Sequence, residues 1–557
     1  MSNSHNSDSI PQLPWDVVVI GAGAAGLMAS LELPDNLKVL LLNRNTSKRS
    51  SSRWAQGGIA AVTRLEDSDA SHAEDTLRAG AGLCDLDAVH MFVRNAPKCV
   101  DRLLSFGMEF DMKDGSLSTT LEAAHSHRRV LHVQDRTGKA LVEVLQDRVE
   151  QKHNIHHHRG IRVTQLWVSD GRCCGVQILD GVFLKWIPSK AVILASGGGG
   201  HLFANTTNPA QACGEGIALA WNAGASIKDL EFVQFHPTAL KFEGAPCFLI
   251  SEALRGEGAV LVDKYGASPV AHLPGRDLAP RDQVSRALFK TMRIQGVNHV
   301  GLDINPIGLS HAEQRFPTIL ERCRDYGLDP LKELIPVAPA AHYCMGGVAT
   351  NLNAETNLPG LYAIGEVACT GLHGANRLAS NSLMECLVFA SQMASMDLDS
   401  KTVLGLRNKP ISYRTEKYMN KSKRYLTNNY LKFAIQELRQ LIWREAGVDR
   451  SFQGIQKGLF SIRKSLGLID NEPLLKCTRN QTQDHCYIFN NSDRLSLNLL
   501  LDLHHRLITS SLLLEACLFR RESRGGHFRS DAPCSLPYWE CHSTQKLGKT
   551  ISTTPVK

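Results

Sequence analysis

The first ordered signal in the chain is a continuous apolar run, Asp16-Val-Val-Val-Ile20, rich in β-branched residues, as a strand buried on both faces requires. It runs straight into Gly21-Ala-Gly-Ala-Ala-Gly26; Leu27 to Leu33 then reads as a helix and Lys38-Val-Leu-Leu-Leu42 as a second buried strand. Strand, glycine turn, helix and strand within about thirty residues make a βαβ unit. The strand-then-glycine shape returns at Ala191-Val-Ile-Leu-Ala-Ser-Gly-Gly198 and at Gly360-Leu-Tyr-Ala-Ile-Gly-Glu366. Three such passages predict one α/β nucleotide-type domain broken by an insertion. Beyond about 412 the period becomes helical: Leu431, Ile435, Leu438 and Ile442, then Ile455, Leu459, Ile462 and Leu466, then Leu499, Leu503, Leu507 and Leu514. The expected division is a disordered tail at 1–14, a first domain in two parts at 15–229 and 344–411, an insertion at 230–343, a helical bundle at 412–533 and a second tail at 534–557. Low complexity is confined to Ser50 to Ser52 and that last tail.

Length and composition narrow the class. With 557 residues, 43% of them hydrophobic, the chain can bury several cores, which excludes a peptide hormone, a zinc finger or a disordered scaffold. It holds no run of about 18 apolar residues, so no membrane span is expected. The net charge of +7 is concentrated, because 401–450 carries 12 basic and 4 acidic side chains. A phosphate-tracking surface spreads its charge over a broad stripe, so the segment reads as a solvated helical face and no nucleic acid is expected. Apart from the adjacent Cys173 and Cys174, the 15 cysteines lie far apart without any C-x-x-C, which argues against iron–sulfur or structural zinc and for buried thiols in a reducing cytoplasm. His156, His157 and His158 are adjacent, and side chains that alternate faces cannot converge on one ion; His125 and His127 alternate likewise, so no metal is expected.

The glycine turn has a steric logic: Gly21 permits the sharp turn, Gly23 the approach of a pyrophosphate, and Gly26 close helix–strand packing. The N–H groups of Ala22, Ala24 and Ala25 border the positive end of the helix. The acidic residue that usually grips a ribose about twenty positions on is Asn43, followed by Arg44. Ser51, Ser52, Arg53, Trp54, Ala55, Gln56, Gly57 and Gly58 offer hydroxyls and glycine N–H groups in one loop suited to a diphosphate or ring edge. Glu366 ends a strand, where a carboxylate can accept ribose or ribityl hydroxyls. Ser382 and Leu383 open the next helix with free N–H groups.

These motifs, with Trp54-Ala-Gln-Gly-Gly-Ile-Ala60, Glu122-Ala-Ala-His-Ser-His-Arg-Arg129, Gln234-Phe-His-Pro-Thr238, Glu252-Ala-Leu-Arg-Gly-Glu-Gly258, Ala279-Pro-Arg-Asp282, Ala340-Ala-His-Tyr343 and Gly371-Leu-His-Gly-Ala-Asn-Arg377, resemble the L-aspartate oxidase family of the succinate dehydrogenase and fumarate reductase flavoprotein superfamily. The resemblance runs from about Asp16 to about Pro533, and Glu522-Ser-Arg-Gly-Gly-His527 is similar to the family's closing motif. It implies a Rossmann-like FAD-binding domain, an α+β capping domain as the insertion, and a C-terminal helical domain. It also implies that the glycine, serine and glutamate positions above touch FAD. Glu215 stands where the family usually has Asp, a longer acid able to shift that contact.

For the substrate the resemblance implies L-aspartate, with two carboxylates and one ammonium. Arg281 and Arg377 supply planar, permanently charged forks for carboxylates, and His236 and His342 add hydrogen bonds. Ser251 and Ser380 offer hydroxyls, and Glu122, an acid among cations, takes the ammonium. The implied reaction is hydride transfer from Cα to FAD, giving iminoaspartate, with dioxygen or fumarate as final acceptor, and a functional link to quinolinate synthase. In related reductases the arginine matching Arg281 donates a proton. The competing enzyme reading is a respiratory flavoprotein subunit, in which a histidine five residues before the glutamine of A-Q-G-G bonds FAD covalently. Here that position is Ser51, so FAD is expected to be non-covalent, one per chain. A reading of another class is a flavin-binding scaffold or redox sensor without turnover.

Overall fold

The computed structural model describes residues 10, 15–46, 50–245, 247–398, 414–418 and 426–557. The expected tail at 1–14 lies outside the described residues except for Ile10, as do 401–413 and 419–425 of the basic segment. The central sheet is a parallel run in the order Ile155–Arg159, Val39–Asn43, Trp15–Ile20, Phe183–Leu194 and Leu361–Ala363. Its strands read as unbroken apolar runs because both faces are covered. Val17 and Val19 pack into a core with Ala24–Glu32, Thr137–Glu150 and Asn381–Ser391, while Val18 and Ile20 pack into another with Glu215–Asn222 and Asn491–Phe519. The 12-residue strand Phe183–Leu194 serves two sheets, pairing parallel to Trp15–Ile20 near its end and antiparallel to Arg172–Asp180 along its start.

Between Val233 and Cys344 the chain builds a separate four-stranded sheet, ordered Val233–Leu240, Ile335–Cys344, Val300–Asp303 and Val260–Val262. It has a core of its own around Leu254, Leu288 and Phe316. Helices Asn428–Ala446, Phe452–Ile469 and Asn491–Phe519 place the expected leucines and isoleucines in one cluster. The α/β, α+β and helical textures are therefore all present.

One expectation fails. Residues 534–557 are not a tail: Cys541–Gln545 and Ser552–Pro555 form a hairpin whose first strand pairs with Ile227–Lys228 in a five-stranded sheet. The segment looks polar because its buried groups are polar and matched in pairs. His542 lies between Asp229 (2.6 Å) and Asp85 (3.2 Å), and the backbone N–H of Lys557 donates to Asp85 at 2.7 Å. Composition cannot reveal partners more than 300 positions away. His156, His157 and His158 lie on the strand Ile155–Arg159, and among the described residues no three groups converge on a metal ion. Among those residues no helix is long and apolar enough to cross a membrane.

Candidate active site

The carboxyl ends of the parallel strands open into a cleft enclosing about 1510 Å³ of non-atom space, its open mouth included. Crevices at this end are where open α/β sheets bind ligands. Gly21 adopts φ +113°, and a Cβ there would lie 2.3 Å from the Ala195 carbonyl oxygen; at Gly26 it would lie 1.8 Å from that of Gly21. Both positions therefore exclude a side chain. Helix Ala24–Glu32 starts at Gly23 without a side-chain cap of its own; instead Ser52 Oγ accepts from the Ala24 N–H at 3.2 Å, so the turn Ser51–Trp54 is tied to that helix end.

Gly21, Ala22, Gly23, Ala25, Arg44, Ser51, Ser52, Trp54, Ala55, Glu215, Glu366, Ser382 and Leu383 line the cleft, as does His342. Other expected cofactor residues do not. Ala24 and Gly26 pack behind the turn, and Arg53 turns its guanidinium to Glu143 at 2.5 Å. Gly57 and Gly58 sit by Ser380, whose Oγ accepts from the Gly58 N–H at 3.3 Å. Gln56 is buried with neither end of its amide bonded.

Glu215 is held by protein groups: Oε1 by Arg162 (2.5 Å) and His505 (3.3 Å), Oε2 by Arg44 (3.4 Å). Burial works against its charge, yet Arg162 and Arg44 keep it well below the usual carboxylate range. Arg44 also reaches Asp502 on the C-terminal helix at 3.2 Å. Burial raises Glu366 to about 7, although it accepts the Cys344 N–H at 3.0 Å. Two cleft groups that sequence reading missed, Ser196 Oγ and Gln211 Oε1, are buried without a hydrogen-bond partner. Unpaired polar atoms beside a helix N-terminus and a side-chain-free turn suit a dinucleotide, and the residues present fit FAD.

The second half of the site joins the insertion to the nucleotide domain. Gln234 and His236 are two positions apart on Val233–Leu240, beside the strand carrying His342. Gln234 Oε1 accepts from Arg281 Nη1 and from Arg377 Nη2, each at 2.9 Å, so a single neutral oxygen bridges two guanidinium groups. Its Nε2 donates to Asn376 and to the Arg377 carbonyl. Arg281 opens helix Arg281–Gln295 and forms a close ion pair with Glu252, which lies 3.5 Å from Arg255. Arg377 lies 4.5 Å above the Tyr343 ring and donates to Ser382 at 3.2 Å; its Nε has no partner. Burial, with Arg281 adding repulsion, pulls Arg377 down to about 10.

His236 and His342 stand with ring centroids 5.2 Å apart. His236 Nδ1 accepts the Thr238 N–H at 3.2 Å, which leaves the proton of the neutral ring on Nε2. Burial and then Arg281 drive its pKa well below the usual imidazole value; burial and then Arg377 do the same to His342, whose Nδ1 meets Thr207 Oγ1 at 2.9 Å. Both rings are therefore neutral near pH 7. Ser251 is buried, and its Oγ accepts the Ala253 N–H at 3.3 Å. Glu122 is 3% exposed and accepts from Ser380 Oγ at 2.7 Å. Burial, then Glu252, raises its pKa, while Arg281 pulls it back. A Cβ on Gly57 would lie 3.6 Å from Glu122 Oε1, so the carboxylate stands against the Gly57–Gly58 turn as well as Ser380.

The one sequence signal for Gln234 is its place two residues before His236, on the same strand face. Arg162, Asp502 and His505 had no local signal at all.

The chain matches the FAD binding domain family over residues 16–383 and the fumarate reductase flavoprotein C-terminal family over 435–552. It is 44% identical to an L-aspartate oxidase of Nostoc sp., over 95% of this chain and 93% of that one, and 43% identical to one of Synechocystis sp., over 95% and 96%. Among solved structures, a glutamate-to-glutamine variant of FrdA from E. coli quinol fumarate reductase superposes with a TM-score of 0.84 at 28% identity, covering 98% of this chain and 97% of that one. A cleft shaped for FAD, a pocket in which the buried Arg377 has no carboxylate partner and these near full-length likenesses lead to one conclusion: the chain belongs to the L-aspartate oxidase family of FAD-dependent flavoproteins.

Proposed function

We propose that the chain oxidises L-aspartate to iminoaspartate with FAD, the first step of NAD biosynthesis by way of quinolinate. The observation that carries this reading is Arg377, which shares the Gln234 amide oxygen with Arg281 but, unlike Arg281 with its Glu252, has no carboxylate of its own and so keeps its charge for an anionic substrate group. Each guanidinium takes a carboxylate. The Nε2–H of His236 donates to a carboxylate oxygen, and His342 stands beside it as a second neutral partner. Glu122, pinned by Ser380, meets the ammonium. Three fixed contacts orient Cα, and orientation is the protein's main contribution in such a reaction. FAD held in the cleft lined by Arg44, Ser52, Glu366 and Leu383 would supply the hydride acceptor for Cα and the route of the electrons to dioxygen or fumarate.

Fumarate as acceptor needs a proton as well. Arg281 faces the pocket, and Glu252, paired with it and 3.5 Å from Arg255, is the neighbour able to restore that proton. Ser51 in the cleft wall offers a hydroxyl rather than an imidazole, which supports non-covalent FAD, one per chain. Within this reading the insertion 230–343 acts as the cap, and Arg44, Ser52, Glu366 and Leu383 hold the cofactor. The product hydrolyses readily, which supports a functional link to quinolinate synthase. Fifteen free thiols suit a reducing cytoplasm.

The test is direct. Acid precipitation of the purified holoenzyme should release a yellow flavin, and anaerobic L-aspartate should bleach the enzyme-bound flavin. Release of flavin without bleaching would support a non-catalytic flavin scaffold, and bleaching by succinate in preference to L-aspartate would support the respiratory subunit.

A further inference from the structure

Behind Glu122 lies a buried array that touches neither the cofactor cleft nor the paired arginines. Arg129 is fully buried and uses all five of its N–H donors: Nε and Nη2 to Asp67 (2.7 and 2.8 Å), Nη1 to Asp75 (2.5 Å) and to His125 Nδ1 (3.1 Å), and Nη2 also to Ser71 (3.1 Å). A guanidinium can only donate, so Nδ1 of His125 must present its lone pair and Nε2 must carry the proton. That Nε2 lies 3.0 Å from the Ala379 carbonyl oxygen and donates to it. Burial and Arg129 lower His125 to about 4, so this tautomer persists across the neutral range.

The residue after Ala379 is Ser380, which has φ +59°, a left-handed conformation that a non-glycine residue holds only when its surroundings enforce it. The enforcement is visible on three sides. His125 holds the carbonyl before it, the Ala60 N–H donates to its own carbonyl at 3.2 Å, and Asn381 after it is bonded to His72 at 3.0 Å and Thr76 at 3.1 Å. In that conformation Ser380 Oγ reaches Glu122 at 2.7 Å. His125 also donates its own backbone N–H to the Glu122 carbonyl at 3.2 Å, so one histidine grips both sides of the Ser380–Glu122 contact.

We infer that His125 is a positioning residue for the substrate amine: with its tautomer set by Arg129, it holds the Ala379–Ser380 peptide so that the Ser380 hydroxyl keeps Glu122 aimed into the pocket. The inference rests on the reading that Glu122 meets the ammonium. Fumarate has no nitrogen, so the array matters for L-aspartate and little for fumarate.

The experiment compares holoenzyme variants in L-aspartate oxidation and in fumarate reduction by a reduced dye. His125→Leu removes the donor and should lower kcat/KM for L-aspartate about 30-fold, chiefly through KM, with fumarate reduction within about 3-fold, because small misplacements of a binding group cost this much. His125→Gln, which keeps an N–H near the position of Nε2, should recover most of the loss. Adding His125→Gln or His125→Leu to Ser380→Ala should cost no more than Ser380→Ala alone, since the histidine acts through that hydroxyl. Equal losses on both substrates, no recovery by His125→Gln, or additive losses with Ser380→Ala would each overturn the inference. If His125→Leu does not fold, His125→Gln and its double variant with Ser380→Ala decide alone. Glu122→Gln, run alongside, separates the two claims. If it spares fumarate while the His125 variants do not discriminate, only this inference falls. If Glu122→Gln impairs both substrates alike, the amine reading falls and the inference with it.

Discussion

Arg129 and Arg377 are both almost wholly buried arginines, yet their surroundings are opposite. Burial works against both charges. Around Arg129 the carboxylates of Asp67 and Asp75 overcome it and raise its pKa, with every donor used. Around Arg377 nothing overcomes it: the guanidinium has a shared amide oxygen, a hydroxyl and the face of Tyr343, and Arg281 adds repulsion. A neutralised buried cation holds structure together, whereas an under-neutralised one is incomplete until an anion arrives. The difference identifies the substrate end of this site better than burial or residue type could.

The comparison can be broken most severely at Arg377. Arg377→Met should lower kcat/KM for L-aspartate by about 10⁴ or more, roughly 5 kcal/mol of transition-state binding. Its thermal midpoint should stay level or rise, because no carboxylate loses its sole partner. Steady-state kinetics with thermal unfolding of the same preparation measures both, and a large fall in midpoint would mean that Arg377 is structural after all.

Arg129→Met should act first on stability, and on L-aspartate turnover only through the loss of its contact with His125. It takes the guanidinium from Asp67 and leaves Asp75 with Arg78 and Ser126 alone, and losing one partner of a buried pair costs about 3–5 kcal/mol. Denaturant unfolding of the holoenzyme reads this, and an unchanged midpoint would erase the distinction between the two sites.

A smaller effect concerns pH. Burial and Glu252 raise Glu122 above the ordinary carboxylate value of 4.5, and its ionised form is the one that meets an ammonium. L-aspartate kcat/KM should therefore fall as pH drops through a value above 4.5, and this limb should vanish from residual Glu122→Gln activity. A pH–rate profile with and without the substitution decides it. His236 and His342, neutral near pH 7, should add no limb near 6.5.

The smallest expected effect lies in the C-terminal hairpin. Burial opposes the charge on His542, but Asp229 and Asp85 raise it from 6.5 to about 9. A pKa higher in the folded chain than in the unfolded one gives stability that is complete below 6.5 and is lost as pH rises through about 9. Unfolding midpoints between pH 6.5 and 9 should show this decline, and His542→Asn should lack it. Asp229 and Asp85 are thus a third case, two acids matched by the His542 imidazolium and the Lys228 ammonium.

Much of the cofactor half was legible because its signals are contiguous. Asp16 to Leu42 carries strand, turn, helix and strand without interruption, and each glycine there answers a local steric demand. The helical residues after 428 were legible for the same reason, since a period of 3.6 depends only on near neighbours. The guanidinium of Arg53 pairs with Glu143, a partner 90 positions on that its loop composition could not reveal. Glu215 was expected to face the cofactor, and it does line the cleft, but its two oxygens are already held by Arg162, Arg44 and His505. The closing hairpin was hidden by polar residues whose partners are remote.

What the chain settles without folding is the inventory: which strands are buried on both faces, where backbone must approach a phosphate, and which cations, imidazoles and acids are on hand. Which of those charges are quenched and which are left open is decided only in three dimensions. The reason is range. A propensity or a period is set within about one turn, whereas Asp67 meets Arg129 across 62 positions, Gln234 meets Arg377 across 143 and Ser380 meets Glu122 across 258. A buried charge takes its character from whatever those distant segments bring within a few ångströms of it.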